Sequence, residues 1–293
     1  LGLIILVISV LYSGQVVMPM KEVAGSIAMI SSGDFNETMQ ITGYSEAEDI
    51  SDKFNSMLSV LQNLEDARQE FVSNVSHELK TPITSVKVLA ESLIGQENVP
   101  VELYQEFMVD INEELERMNK IINDLLTLVK MDKNASEVNI SEVNINEFLE
   151  AILKQLQPIA DKRNIEMIFE SVRSVTAQVD EVKLAMAFRN LIENAIKYNY
   201  DNGWVRVSLN ADHKFFYLKV SDSGVGIPEE LQDSIFERFY RVDKARSRET
   251  GGNGLGLAIT RNAILLHRGS IKVHSIEQQG TTFAVRIPLM YSE

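Results

Sequence analysis

The segment FVSNVSHELKTP, residues 71–82, contains the pattern that decides how the first half of the chain folds. Apolar residues recur in it every four positions, as on one face of an α-helix, at Phe71, Val75 and Leu79. Apolar residues at heptad spacing continue this face before and after the segment. Pro82 lacks a backbone N–H and is expected to kink the helix. The pattern predicts a long amphipathic helix through this segment.

His77 falls off the apolar face and is expected to project toward solvent. A carboxylate that takes the Nδ1 proton of an imidazole leaves Nε2 basic, so His77 beside Glu78 is a candidate nucleophile. A solvated surface histidine is the alternative for any single histidine. A nucleotide-binding site elsewhere in the chain would favour the nucleophile.

Composition excludes several classes of function. The 293 residues are enough for about two domains. The net charge of −14 argues against a direct nucleic-acid partner, since phosphate backbones bind basic surfaces. The absence of cysteine excludes disulfides, thiolate metal sites and cysteine nucleophiles, and is compatible with the cytoplasm.

Residues 1–18 carry no charge and are rich in Leu, Ile and Val. A helix of this length spans about 27 Å, close to the thickness of a bilayer core. We therefore predict a transmembrane helix, a truncated N-terminus upstream of it, and a cytoplasmic location after about residue 18. A signal-peptide core and a buried helix are the alternatives.

Residues 19–68 are predicted to form a helical linker. Apolar residues between 20 and 30 step by three and four, as in a short amphipathic helix. A second helix is expected from Ser45, a possible N-cap, and its apolar residues form a heptad seam. A plain coiled coil is the alternative.

Residues 69–133 are predicted to form an antiparallel helical hairpin, broken between Gly95 and Pro100. The second helix has apolar residues in alternating steps of four and three, namely Tyr104, Met108, Ile111, Leu115, Met118, Ile122, Leu125 and Val129. This face is too large for one hairpin to bury. We therefore predict a homodimer in which two hairpins form a four-helix bundle.

Residues 138–293 are predicted to form an α+β two-layer sandwich, after a polar linker at 131–142. Helical patterns at 146–162 and 180–198 alternate with strand-like segments. The predicted strands are 164–170, 204–210, 215–221, 270–275 and 281–288. Their patterns favour an antiparallel or mixed sheet with helices on one face.

The helix at 180–198 presents a polar face with features of a phosphate site. Asn190, Asn194 and Lys197 fall on that face. A neutral amide oxygen suits Mg²⁺, which takes one or two protein ligands beside phosphates. Lys197 can meet phosphate oxygens, and the ring of Tyr198 can stack on a base. A polar, solvated helix face is the alternative.

The sequence DSGVG at 222–226 follows a strand. Gly224 and Gly226 allow backbone to approach a flat ring, and the Asp222 carboxylate can accept a hydrogen bond from an exocyclic amine. An ordinary turn is the alternative. Further along, Arg241 ends the sequence FERFYR and could reach a γ-phosphate.

The sequence GGNGLGLA at 251–258 opens a helix. Backbone N–H groups at a glycine-rich helix start bind phosphates. The candidate ligands there are Gly252, Gly254, Leu255 and Gly256. The preceding residues, 243–250, are predicted to form a mobile lid over the nucleotide.

The dodecamer at 71–82 resembles the phosphoacceptor box of bacterial two-component sensor histidine kinases. The four later clusters resemble, in order and spacing, the N, G1, F and G2 boxes of that family's ATP-binding domain. This domain has the Bergerat fold shared with gyrase, Hsp90 and MutL (the GHKL class). The segment 280–282, with Thr281, is similar to its final glycine box, although a hairpin turn fits equally. Residues 19–68 are similar to the HAMP linker, with Ala47 and Glu48 in place of the usual Ile-Gly.

The resemblance implies a membrane-bound kinase that uses Mg-ATP to phosphorylate His77 and passes the phosphoryl group to an aspartate of a response regulator. It implies that Asn194 holds Mg²⁺, that Asp222 binds the adenine amino group, and that Thr81 helps to hold water for the reverse, phosphatase reaction. The implied location is the bacterial inner membrane.

Two other functions stay open. An ATPase clamp of the gyrase or Hsp90 type would use a glutamate where Asn190 stands. A non-catalytic membrane receptor adaptor would bind nucleotide or partners without phosphorylating His77.

Overall fold

The computed structural model describes residues 2–5, 25, 45–94, 100–133, 138–242 and 252–291. The chain divides into two compact units, Leu1–His77 and Glu78–Glu293. Most of the predicted membrane span at 1–18, the first half of the predicted linker and the predicted lid at 243–250 lie outside the described residues. Among the helices that are described, none combines the length and apolar character needed to cross a bilayer.

Two long helices form the first part of the described fold. Helix α1 spans Ser45–Ile94 and continues through Pro82, and helix α2 spans Val101–Lys133. The predicted break between the two helices is therefore confirmed at both ends. Residues 95–99, which connect the helices, lie outside the described part.

An α+β domain follows the helices. Its elements are β1 (Ser141–Asn144), α3 (Ile145–Asp161), β2 (Glu166–Ser171), β3 (Thr176–Val179), α4 (Glu181–Lys197), β4 (Trp204–Ala211), β5 (Phe215–Asp222), α5 (Gly256–Leu266), β6 (Ser270–Ile276) and β7 (Gly280–Pro288). Two short 3₁₀ turns, Glu229–Leu231 and Ser234–Phe236, lie between β5 and α5.

Five strands form one mixed sheet in the order β2-β4-β5-β7-β6. Only β2 and β4 are parallel, with Val205 opposite Met167, and the other pairs are antiparallel. Burial alternates along the central strands, so that one face of the sheet packs against helices α3, α4 and α5. The predicted mixed sheet with helices on one face is confirmed.

The remaining two strands correct the predicted linker at 131–142. Strand β1 pairs antiparallel with β3, with Ser141 opposite Val179. Residues 131–133 belong instead to the end of α2. Both strands have only four residues, which is too short for an alternating pattern to stand out.

Helix α4 separates the apolar core from a polar surface. The Asp180 side chain caps its start by accepting from the backbone N–H of Lys183. The apolar face is buried, with Phe188 and Leu191 fully inaccessible to solvent. Each such side chain contributes about 1.5–3 kcal/mol by leaving water. This packing fixes the helix, and its opposite face lines a cavity.

Candidate functional site

The histidine of the first motif is accessible on helix α1. The side chain of His77 is exposed, as the apolar periodicity of the segment predicts, and the side chain of Thr81 is exposed as well. Pro82 is buried. A nucleophilic histidine must be reachable by its substrate, and this position satisfies that requirement.

A cavity of about 610 Å³ opens between α2, α4, the 3₁₀ turns and the start of α5. Its volume lies within the usual range for sites that bind small molecules. The predicted site residues on its wall are Asn190, Asn194, Lys197, Tyr198, Asp222, Gly226, Arg241, Gly252, Gly254, Gly256 and Thr281. The structure thus brings the four sequence clusters to one place.

Helix α4 gives this cavity an amide face and a cation. The Asn190 amide nitrogen donates to Thr260 Oγ1 at 2.9 Å, which fixes the orientation of the amide. Lys197 Nζ lies 4.9 Å from the centroid of the Tyr198 ring. Burial, followed by the charges of Lys120 and Arg241, lowers the pKa of Lys197 to about 8. This end of the cavity therefore favours a bound anion.

Asp222 forms a second polar point on the wall. Burial raises the pKa of its carboxyl to about 6. Its Oδ1 accepts from the backbone N–H groups of Gly224 at 2.8 Å and Thr281 at 3.2 Å. These bonds hold the carboxylate in one orientation, from which it can accept a hydrogen bond from an amine.

Gly224 and Leu255 were predicted to bind the cofactor but do not line the cavity. A side chain at Gly224 would collide with the backbone oxygen of Tyr198, so this glycine serves a close backbone approach. The Leu255 side chain is fully buried in the domain core. The contact predicted for Leu255 is through its backbone N–H group, which donates to Asn253 Oδ1 at 3.1 Å. The burial of its side chain does not test that contact, which stays a prediction.

The glycine-rich segment forms part of the wall. At two of its positions the geometry requires glycine. Gly254 has φ of +71° and packs against the backbone of Phe239. Gly256 lies against the amide of Asn190, where a side chain would collide with it. The segment can therefore approach α4 closely.

Arg241 pairs with the carboxylate that follows the histidine. Its Nη1 lies 3.3 Å from Oε1 of Glu78, and the arginine side chain is 9% exposed. Glu78 was predicted to orient His77, and Arg241 to reach the γ-phosphate. The ion pair shows that Glu78 can also hold Arg241.

Three polar residues near the cavity were not singled out in the sequence. Asn253 donates to Asp124 Oδ2 at 2.6 Å and accepts from the backbone N–H of Leu255. Lys120 and Asp124 line the cavity from α2. Burial raises the pKa of Asp124. The only available signal was that 120 and 124 are one helical turn apart, which is common on any polar helix face.

Apolar side chains form another part of the wall. They come from α4, the 3₁₀ turns, α5 and β7, and include Met186, Ile235, Ile259 and Phe283. Apolar side chains beside the fixed Asp222 carboxylate suit a flat heterocycle with an exocyclic amine. These residues were not singled out in the sequence.

The mixed sheet, its one-sided helices and a cavity lined by amides, glycines and the buried Asp222 carboxylate define an ATP-binding domain of the GHKL class. Residues 179–290 match the family model of the histidine kinase-, DNA gyrase B- and HSP90-like ATPase. Residues 67–134 match the His Kinase A (phospho-acceptor) domain. The chain therefore belongs to the bacterial sensor histidine kinases of two-component systems.

Individual proteins show the same similarity. Sensor protein kinase WalK of Staphylococcus epidermidis is 36% identical over 281 residues, which are 94% of this chain and 44% of that protein. The chain thus spans less than half the length of this relative. ShkA, solved full-length in complex with AMPPNP, is 25% identical with a TM-score of 0.57, over 76% of this chain and 46% of that one.

Histidine kinase ThkA, solved in complex with response regulator protein TrrA, has a TM-score of 0.63. It is 24% identical and covers 78% of this chain and 64% of that one. At this identity the similarity shows the fold alone.

Proposed function

We propose that this chain is the kinase part of a sensor histidine kinase, which transfers the γ-phosphoryl group of Mg-ATP to His77. The observation that carries the proposal is the combination of two features in one chain. An exposed histidine is followed directly by a carboxylate, and a separate cavity combines amides, cations and a fixed carboxylate. Neither feature alone would separate a kinase from an ATPase or a receptor.

The cavity has complementary ends for the two parts of ATP. Asp222 accepts a hydrogen bond from the adenine amino group, and the apolar wall covers the base. Lys197 and the glycine-rich segment bind the phosphates at the other end, where backbone N–H groups begin helix α5. The cavity, of about 610 Å³, can hold the base at one end and the phosphates at the other at the same time.

The amide face of α4 fits Mg²⁺. Asn194 lines the cavity beside Asn190, and neutral oxygen donors suit an ion that keeps most of its waters. Asn194 would hold the ion. Bound there, Mg²⁺ offsets charge on the phosphate oxygens.

In the transfer step, His77 Nε2 attacks the γ-phosphorus in line. A P–N bond forms, the bond from the γ-phosphorus to the bridging oxygen breaks, and ADP leaves. Glu78 accepts the proton on Nδ1 and so keeps Nε2 nucleophilic. Arg241 exchanges its ion pair with Glu78 for the γ-phosphate, which also releases the Glu78 carboxylate for His77.

A homodimer is proposed because α2 leaves a regular apolar stripe exposed. The exposed residues recur every seven positions, at Met108, Leu115, Ile122 and Val129. A second hairpin would cover this stripe in a four-helix bundle.

The next acceptor is proposed to be an aspartate on a response regulator, and Thr81 is proposed to hold water for the reverse reaction. The solved complex of ThkA with TrrA is an example of such a pairing in another kinase. Residues 1–18 are proposed to anchor the chain in the bacterial inner membrane, with the catalytic part in the cytoplasm.

Labelling with γ-³²P-ATP tests the proposed activity. The wild-type chain should incorporate acid-labile label, and His77→Gln should lose it. Asn194→Ala should lose label while keeping the mass of a dimer. Label at the wild-type level in His77→Gln would contradict the assignment.

The same experiment separates the alternatives. A clamp ATPase would release phosphate from ATP without labelling any residue, and its mechanism would need a glutamate where Asn190 lies. A receptor adaptor would bind nucleotide, but it would neither release phosphate nor become labelled. A crosslinked mixed dimer of His77→Gln and Asn194→Ala chains would then show whether transfer occurs within one chain or between two.

A further inference from the structure

Helix α2 of the hairpin reaches the phosphate end of the cavity. The amide nitrogen of Asn253, within the glycine-rich segment, donates to Asp124 Oδ2 at 2.6 Å. Asn253 is 8% exposed, so this bond is shielded from solvent at one end. The contact fixes α2 directly beside the segment that is proposed to bind phosphates.

Lys120 lies one helical turn before Asp124 and therefore on the same side of α2. Its side chain lines the cavity together with Lys197 and Gly252. A Cβ atom added at Gly252 would lie 2.7 Å from Lys197 Nζ, so this ammonium group touches the glycine-rich segment. Lys120, Lys197 and the segment thus border the same end of the cavity.

The charges at this end are arranged for a polyanion. Lys120 is first among the neighbouring charges that lower the pKa of Lys197, and Arg241 follows it. Three cations that face one space repel each other. Glu193 offsets part of this repulsion at Lys197, as Asp124 does at Lys120 and Glu78 at Arg241. An anion that enters between the three cations offsets more of it. Such a cluster stands out in a chain whose net charge is −14. Each added phosphate offsets more of this repulsion.

We propose that Lys120 binds the terminal phosphate of a nucleoside triphosphate, so that the hairpin itself selects ATP over ADP. The inference rests on the proposed function, because it takes ATP as the ligand. Lys120 comes from the phosphoacceptor hairpin, whereas Lys197 and the glycine-rich segment belong to the ATP-binding domain. Bound ATP therefore strengthens the contact between α2 and the glycine-rich segment, and that contact strengthens ATP binding by the same factor.

The test compares the affinities of ATP, supplied as its non-transferring analogue AMPPNP, and of ADP in the full chain by titration calorimetry with Mg²⁺ present. Lys120→Gln should weaken ATP binding roughly three- to tenfold, the range for one charged contact to a phosphate at a partly exposed site. ADP binding should change by less than about twofold, since ADP lacks the contacted phosphate. Lys120→Arg should keep most of the preference.

Lys130→Gln is the matched control. Lys130 is an exposed lysine on the same helix that does not line the cavity, and its removal changes the net charge equally. It should leave both affinities unchanged. An unchanged ATP-to-ADP ratio in Lys120→Gln would overturn the inference, as would an equal change in Lys130→Gln. Neither affinity measurement depends on labelling at His77. An absence of the proposed kinase activity in the wild-type chain would therefore be detected separately, in the labelling experiment.

Discussion

The hairpin and the ATP-binding domain differ in how much apolar surface they leave exposed. In the domain, Phe188 and Leu191 have no accessible surface, and the central strands bury every second residue. On the hairpin, Tyr104 is 51% exposed and Leu115 is 45% exposed, although both fall on its apolar seam. The domain completes its core within one chain, whereas the hairpin has an apolar face that a second hairpin can cover.

The largest expected effect is on the domain core. Phe188→Ala should lower the free energy of unfolding of the ATP-binding domain by about 3–5 kcal/mol, because it removes buried surface and leaves a cavity beside Phe148. Trp204, the only tryptophan of the chain, lies on β4 and reports unfolding of this domain in urea by its fluorescence. A loss below about 1 kcal/mol would show that the domain core is not self-contained.

The next effect concerns the exposed stripe. Ile122→Asp should convert the dimer to a monomer in light scattering, because a charge cannot be buried between two hairpins. The urea midpoint measured through Trp204 should hardly change, since Ile122 lies outside the domain core. Val109→Asp, at an exposed position off the stripe, should remain dimeric. Dissociation in both variants would contradict the assignment of the stripe as the dimer interface.

A smaller effect should appear in the pH dependence of ATP binding. Lys197 has its pKa lowered to about 8, so the free protein loses this positive charge as the pH rises through 8. Binding of ATP favours the charged form, and affinity should fall by up to about tenfold for each pH unit above 8. Lys197→Arg stays charged and should show a flat profile in the same titration. A flat profile for the wild-type chain would mean that Lys197 does not contact phosphate.

The smallest expected effect is on stability at mildly acidic pH. His267 is buried, its Nε2 accepts from the Asp180 backbone N–H at 2.9 Å, and its Nδ1 lies 2.7 Å from the Ala263 carbonyl oxygen. Burial lowers the pKa of His267, so the unfolded chain binds more protons than the folded chain below about pH 6.5. The free energy of unfolding should therefore fall as the pH drops through 6.5, by at most about 1.4 kcal/mol per unit.

The variant His267→Gln cannot titrate and should lose its part of this slope. Urea unfolding between pH 5 and 7 measures the difference between the two proteins. The same slope in both would show that the histidine is not the titrating group.

The sequence predicted some parts of the structure better than others. Helices and strands with a clear period were predicted within a few residues, because a period of 3.6 or 2 is written in consecutive positions. The short strands β1 and β3 were missed, since four residues show little more than one alternation. Motifs with an ordered set of spacings located the cavity, but spacing could not distinguish Gly224, which serves a close backbone approach, from a residue on the cavity wall.

Contacts between residues that are far apart in the sequence could not be predicted from local patterns. Asp124 and Asn253 are 129 residues apart, and no local pattern joins them. The pairing of Glu78 with Arg241 likewise depends on packing between α1 and the segment after β5. Such contacts follow from the tertiary structure, which places polar residues of otherwise ordinary helix faces together.

The central claim is that His77 is the phosphoacceptor, and peptide mapping after incubation with Mg-ATP tests it most directly. Trypsin should release residues 69–80 as one peptide, which contains His77 together with Ser73 and Ser76. The account predicts that this peptide carries one phosphoryl group, stable in alkali and lost in mild acid, as expected for a P–N bond. An acid-stable phosphoryl group on Ser73 or Ser76, or a label on another peptide only, would contradict it.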